Sequence, residues 1–306
     1  MKLLLEKSRL ILMEAAVVER LRRDGDMMLH PSLANGPLIY DKAGRKALSR
    51  IYQGYIDIAG EADLPVLLCT PTWRANKARV IESGVTRSIN TDAVRFMQEL
   101  RDSQKTSAGG IKIGGMIGCK KDCYRPDQGL AAQKAEIFHA WQIAQLARAG
   151  VDFLIAETLP NIEEALGIAK AMETSSTPYI ISFVISREGC LLDGTDLNSA
   201  VERIDSETKW KPLGFMVNCA YPTFLCAAKQ PPKLFKRLIG YQANGSALDH
   251  DDLDGAEQLE NEKISDWGDA MLELNISYGI KILGGCCGTG NEHLRYIVGT
   301  MRRAQP

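Results

Sequence analysis

Apolar residues along the chain gather into eight short runs, each followed by a longer helical pattern. The runs are RLILM (Arg9–Met13), LPVLLCT (Leu64–Thr70), IKIGGMIG (Ile111–Gly118), VDFLIAET (Val151–Thr158), PYIISFVI (Pro178–Ile185), PLGFMVNC (Pro212–Cys219), RLIGYQA (Arg237–Ala243) and IKILGGC (Ile280–Cys286). Near-continuous apolar strands of this kind suit a parallel sheet covered on both faces by helices. The intervening stretches carry helix punctuation. AAQKAEIFHAWQIAQLARAG stops at Gly150, a C′ residue, and NIEEALGIAKAMETSS opens on Asn161 as N-cap with acidic residues in its first turn. Eight strand–helix units in 306 residues predict a (β/α)8 TIM barrel, an α/β fold forming a single domain over residues 1–306. A doubly wound open sheet shares the alternation, but no G-x-G-x-x-G follows the first run.

A barrel carries its chemistry at the C-terminal ends of its strands. Those ends supply Cys69-Thr70, Cys119, Glu157-Thr158, Asn218-Cys219, Asn244 and Cys286-Cys287. GGCCGTG (Gly284–Gly290) places two adjacent cysteines in a nest of glycines. Three arrangements compete for them: shared ligation of a metal, a strained vicinal disulfide, or free thiols. Strands six and eight approach each other at the rim of a barrel, so Cys219 can join Cys286 and Cys287 around one Zn2+. Three thiolates leave a tetrahedral position open, which marks a catalytic zinc site and not a closed structural one. Gly284, Gly285 and Gly288 allow the sharp bend this needs, and would leave N–H groups free to receive a substrate carboxylate.

Charge changes the picture by exclusion. Lys+Arg at 37 against Asp+Glu at 38 gives a formal net charge of −1, with no electrostatic reason to expect nucleic acid or an anionic membrane as partner. No apolar run is long enough to cross a bilayer, and MKLLLEKSRLILMEAAVVERL reads as a lead-in plus first strand, not a secretory signal. The expected compartment is the cytoplasm, where cysteines more often bind metal or do chemistry than pair. Cys119 and Cys123 form C-x3-C and read as ordinary thiols, as do Cys69 and Cys190; Cys226 reads as a packed thiol. ALDHDDLDGAEQLENEK (Ala247–Lys263) lacks calcium-loop spacing and reads as a solvated insertion after strand seven, a mobile lid. His30, His139, His250 and His293 follow no zinc spacing and read as surface or helix residues.

VNC (Val217–Cys219) together with GGCCGTGNEHLRYI (Gly284–Ile297) resembles the homocysteine S-methyltransferase family, as do AETLPNIEEA (Ala156–Ala165), SFVISREGCLLDGTDL (Ser182–Leu197) and YQANG (Tyr241–Gly245). TPTWRAN (Thr70–Asn76) resembles the strand-two segment of its betaine- and cobalamin-dependent branches. The resemblance implies a zinc-dependent (β/α)8 barrel that moves a methyl group from an activated donor of the S-methylmethionine, S-adenosylmethionine or betaine type onto the thiol of homocysteine, forming methionine. It implies Cys219, Cys286 and Cys287 as zinc ligands, Glu157 as the carboxylate that holds the acceptor's amino group, and Gly284–Gly285 as the amides that receive its carboxylate. Asn218 is a further candidate substrate contact. The family's Asp-Gly element on strand one is replaced by Glu14-Ala15-Ala16, which makes Glu14 the counterpart of the aspartate and adds Cβ atoms to the pocket floor. Trp73 and Phe183 are candidates to face a cationic donor, with rim packing as the competing role. Two other readings share the residues: a paralogue acting on a different thiol or donor, and a non-catalytic zinc- or redox-sensing barrel.

Overall fold

The computed structural model describes residues 1–25, 27–104, 110–249 and 261–303. His250 and most of the acidic insertion at 247–263 lie outside the described residues. The eight runs become β1 (Ile11–Met13), β2 (Val66–Cys69), β3 (Ile111–Gly118), β4 (Phe153–Leu159), β5 (Tyr179–Phe183), β6 (Gly214–Ala220), β7 (Leu238–Ala243) and β8 (Ile282–Gly285). They pair in chain order, every pair parallel, and β1 closes on β8. The helices are α1 (Lys2–Lys7), α2 (Val18–Arg23), α3 (Lys42–Glu61), α4 (Lys77–Glu82), α5 (Ile89–Asp102), α6 (Ala132–Arg148), α7 (Ile162–Glu173), α8 (Leu197–Glu207), α9 (Ile264–Tyr278) and α10 (Asn291–Arg303). The (β/α)8 barrel expected from the alternation is the fold observed. Among the described residues no helix is long and apolar enough to cross a membrane.

Strand side chains alternate between two buried layers, which is why the runs are apolar almost throughout. Ile11, Met13, Leu67, Cys69, Phe153, Ile155, Ile180, Met216 and Ile282 fill the barrel interior. Their neighbours Leu12, Leu68, Leu154, Ile181, Phe215 and Leu283 turn outward and pack under the helices. The lead-in folds as α1 and lays Met1, Leu4 and Leu5 against the interior cluster at the N-terminal end of the barrel. The polar strand ends are thereby left to the opposite rim.

Helix boundaries follow local chemistry. The Asn161 side chain accepts the Glu164 N–H at 2.9 Å and starts α7, while Gly150 stands past the end of α6 at φ +85°. Gly167 sets how closely α7 packs on α6, because a Cβ there would lie 2.2 Å from the Ala132 carbonyl oxygen and 2.5 Å from the Ala135 Cβ. Gly299, inside α10, has nothing within 4 Å of its Cβ position. Gly167→Ala is therefore expected to lower the urea midpoint by an overpacking cost of about 1–3 kcal/mol. Gly299→Ala should raise it by up to about 1 kcal/mol from helix propensity alone.

Candidate metal and acceptor site

Three thiols meet at the C-terminal rim. Cys219 lies near the end of β6, Cys286 and Cys287 directly after β8, and their Sγ atoms all lie within 4.8 Å of one another. Cys219 is buried, Cys286 half-buried and Cys287 exposed. The pairing of β6 with β7 passes from Asn218 to Ala220 and leaves Cys219 out, in left-handed backbone at φ +54°. That irregularity re-aims a side chain, as bulges beside active sites do. The pairing of β4 with β5 shifts register between Ala156 and Leu159, with Thr158 at φ +60°. The Asn218 amide ties the two distortions together. Its Oδ1 accepts the Thr158 N–H at 2.8 Å and the Ser182 hydroxyl at 2.7 Å, and its Nδ2 donates to Thr158 Oγ1 at 2.6 Å and to Cys219 Sγ at 3.4 Å. Asn218 thus acts on the backbone and the thiol.

The loop after β8 is pinned by its own amides. Gly285 N–H donates to the Glu14 carbonyl at 3.1 Å, Cys286 N–H to Ala243 at 2.7 Å and Thr289 N–H to Cys286 at 3.2 Å. Gly288 N–H donates to the Glu19 carboxylate, and Gly290 N–H to Nδ1 of His293 at 3.2 Å. The Cys287 carbonyl accepts Gly245 N–H at 2.8 Å. These bonds correct the expectation that Gly284 and Gly285 offer amides to a substrate carboxylate. Gly284 is paired with Gln242 inside the ladder, and the Gly285 amide holds β8 to β1. The glycines serve closeness instead: a Cβ on Gly284 would lie 2.8 Å from the Glu14 carbonyl oxygen, and one on Gly285 2.1 Å from Thr289 Oγ1.

Beside the thiols two carboxylates flank a fourth cysteine. Glu14 Oε2 accepts the Cys69 N–H at 2.6 Å, and the Cys69 thiol lies 3.8 Å from Glu157 Oε1. All three residues are buried. Burial pushes the Glu157 carboxyl up to about 7, against the pull of the Cys69 thiol. Burial raises Glu14 well above the carboxylate range, the Cys69 N–H opposes it, and the charge of Glu157 adds to the rise. Cys69 itself is pushed up by burial and by both carboxylates. Its place between them was not evident from sequence; its position at a strand end was the available signal. Tyr124, half-buried in the loop after β3, was also missed: burial raises its phenol, and the charges of Cys219, Cys287 and Cys286 raise it further.

Other candidates are placed elsewhere. Phe183 faces away from the site, fully buried in the helix-side layer and stacked on Phe215 at 6.1 Å, because strand alternation turns Ser182 inward and Phe183 outward. Trp73 stands at the rim, half-buried, with the Arg74 guanidinium 4.1 Å from its ring centroid. Cys119 and Cys123 are buried free thiols, Cys119 pushed up to about 12 by burial. His139 pairs with Glu164 at 2.9 Å within the helical layer, and Nδ1 of His30 accepts the Ser32 and Leu33 N–H groups.

The donor set fits a thiophilic divalent cation. Tetrahedral Zn–S bonds of about 2.3 Å place sulfurs about 3.8 Å apart, inside the 4.8 Å that bounds the observed cluster. The thiols of Cys219 and Cys287, with burial, push the Cys286 pKa well up, an electrostatic burden that a dication reverses. Among the described residues no other His, Cys, Asp or Glu joins the group, so a tetrahedral cation held here would have three protein ligands and one open position.

The family model described as homocysteine S-methyltransferase matches residues 11–301. Homocysteine S-methyltransferase 2 of Saccharomyces cerevisiae is 23% identical over 283 residues, covering 85% of this chain and 82% of the relative. Homocysteine S-methyltransferase of Escherichia coli is 22% identical over 300 residues, 94% of each protein. The crystal structure of the metallated form of the homocysteine methyltransferase MmuM from Escherichia coli superposes with a TM-score of 0.76 at 18% identity, covering 97% of this chain and 98% of that one, which supports the fold. With the family model spanning the whole barrel, the chain belongs to the homocysteine S-methyltransferase family and is a methyltransferase by descent.

Proposed function

We propose that this protein transfers a methyl group from an activated donor to the thiol of homocysteine, forming methionine, at a Zn2+ held by Cys219, Cys286 and Cys287. The observation that carries this is the convergence of three thiols from two strand ends within 4.8 Å, with no further ligating side chain in the group among the described residues. Bound there, Zn2+ would keep the acceptor sulfur deprotonated at neutral pH. Glu157 and Glu14 lie on the same rim and meet the acceptor's ammonium group, fixing the sulfur's approach; Asn218 holds Cys219 in place. Transfer is an in-line displacement: the S–CH3 bond forms as the donor–CH3 bond breaks, and the electron pair stays with the donor. No general base acts on the methyl group. No disulfide joins any of the eight cysteines, all of which are among the described residues, and this suits the reducing cytoplasm and a place in methionine synthesis.

Metal analysis of freshly purified protein should find one zinc per chain, lost in Cys219→Ala. X-ray absorption at the zinc edge should pass from three sulfur neighbours to four on adding homocysteine. Protein kept reduced that carries no zinc, or zinc whose sulfur count ignores homocysteine, would overturn the proposal.

Glu157→Gln should lower kcat/KM by roughly 100-fold, through loss of a buried charged contact to the acceptor. The same variant has a pH signature in protein free of substrate. The folded pKa of Glu157, about 7, lies above its unfolded 4.5, so the folded state binds more protons between those values. Stability from this group is present below the unfolded pKa and lost as pH rises through the folded one, by roughly 3 kcal/mol at most. Urea titrations should therefore show Glu157→Gln gaining on the wild type from pH 5 to pH 8.

A further inference from the structure

A cavity of about 630 Å³ opens at the same rim, between the segments after β1, β2 and β3. Its charged lining is one-sided: Arg22, Arg74 and Arg79 against Asp122. The guanidiniums of this chain are commonly paired elsewhere, as Arg237 is, by two bonds, with Asp205. In the cavity Arg74 donates to the Lys121 carbonyl at 2.7 Å and Arg79 to the Ser32 carbonyl at 3.3 Å. Neither has a carboxylate in ion-pair contact among the described residues, and Arg79 Nε is buried there without a partner. Burial, and then the proximity of Arg74, hold the Arg79 pKa below its usual value, a repulsion that an anion between the two would relieve.

The aromatic groups point the same way. A cationic methyl donor calls for an open aromatic face. One face of Trp73 is occupied by the chain's own Arg74, and Phe183 is buried on the helix side. Sulfonium donors such as S-methylmethionine and S-adenosylmethionine are net cations and would enter a positive field; glycine betaine is neutral overall and small for the volume. The cavity adjoins the thiols through α2, which lines it with Val18 and Arg22 while Glu19 binds Gly288 beside Cys287.

We propose that this cavity seats the methyl donor and that the donor is a net anion, a methylated cofactor whose carboxylate or phosphate groups are held by Arg74 and Arg79. The assignment of the occupant as donor rests on the methyl-transfer reading; the anion site itself does not.

Calorimetric titration of the zinc-loaded protein with inorganic phosphate and with glutarate tests it and separates the two anion sources. At least one should bind, with affinity reduced about tenfold in Arg74→Gln and in Arg79→Gln. The exposed Arg22→Gln, which leaves the fold untouched, should weaken it by a smaller factor. S-adenosylmethionine and glycine betaine should bind more weakly than the anion and should not weaken in the variants. Anion binding absent from the wild type, or equal in all variants, overturns the proposal, as does tight binding of S-adenosylmethionine that ignores the arginines. Homocysteine-dependent zinc absorption measured on the same samples keeps the two failures apart. If it persists without anion binding, only the donor site falls. If it is missing while anion binding depends on the arginines, the methyl-transfer reading falls and the anion site stands.

Discussion

Gly284 lets β8 lie against β1 at a separation that a Cβ would forbid, and the Gly285 amide uses that closeness to reach the Glu14 carbonyl. Two consequences follow from this one contact. Glu14 leaves β1 beside Cys69 and Glu157, so the carboxylate pair is assembled by the closing of the sheet. Cys286 leaves β8 on the β7 side, where its N–H takes the Ala243 carbonyl and its thiol meets Cys219. A larger residue at Gly284 would have to displace the backbone of Met13 and Glu14, and one at Gly285 the Thr289 side chain that closes the cysteine loop.

The site keeps two residues in backbone that glycine would occupy more cheaply. Thr158 and Cys219 sit at φ +60° and +54°, each at a cost of about 1–3 kcal/mol. A glycine at either place would remove the strain and with it the hydroxyl or the thiol. Asn218, between them in space, offsets the cost by satisfying the Thr158 amide and hydroxyl together, while Ser182 completes its oxygen. The distortion is therefore held from the side-chain layer and not by the ladder.

The barrel was legible because all eight strands are buried on both faces, so burial wrote itself into continuous apolar runs; IKIGGMIG coincides with β3 residue for residue. The cap at Asn161 and the stop at Gly150 were legible because they are local. The cysteine-bearing strand ends could be placed on the rim, but the uses of the loop amides could not. Glu19 reaches Gly288 across 269 residues of sequence, and no spacing rule registers such a bond. The anion expected in that glycine nest is thus a carboxylate of the chain itself. Phe183 shows a different failure. Its direction was implicit in the alternation with Ser182, but its chemistry drew attention to the ring and away from the parity of the strand.

Helix α2 is only six residues long, yet neighbouring side chains on it serve two parts of the rim. Glu19 holds the cysteine loop and is itself gripped by Arg23, while Val18 and Arg22 form part of the wall of the arginine-lined cavity. So short an element leaves no room for a hinge between the two tasks: a substitution that displaces α2 would disturb the cysteine loop and the cavity wall together.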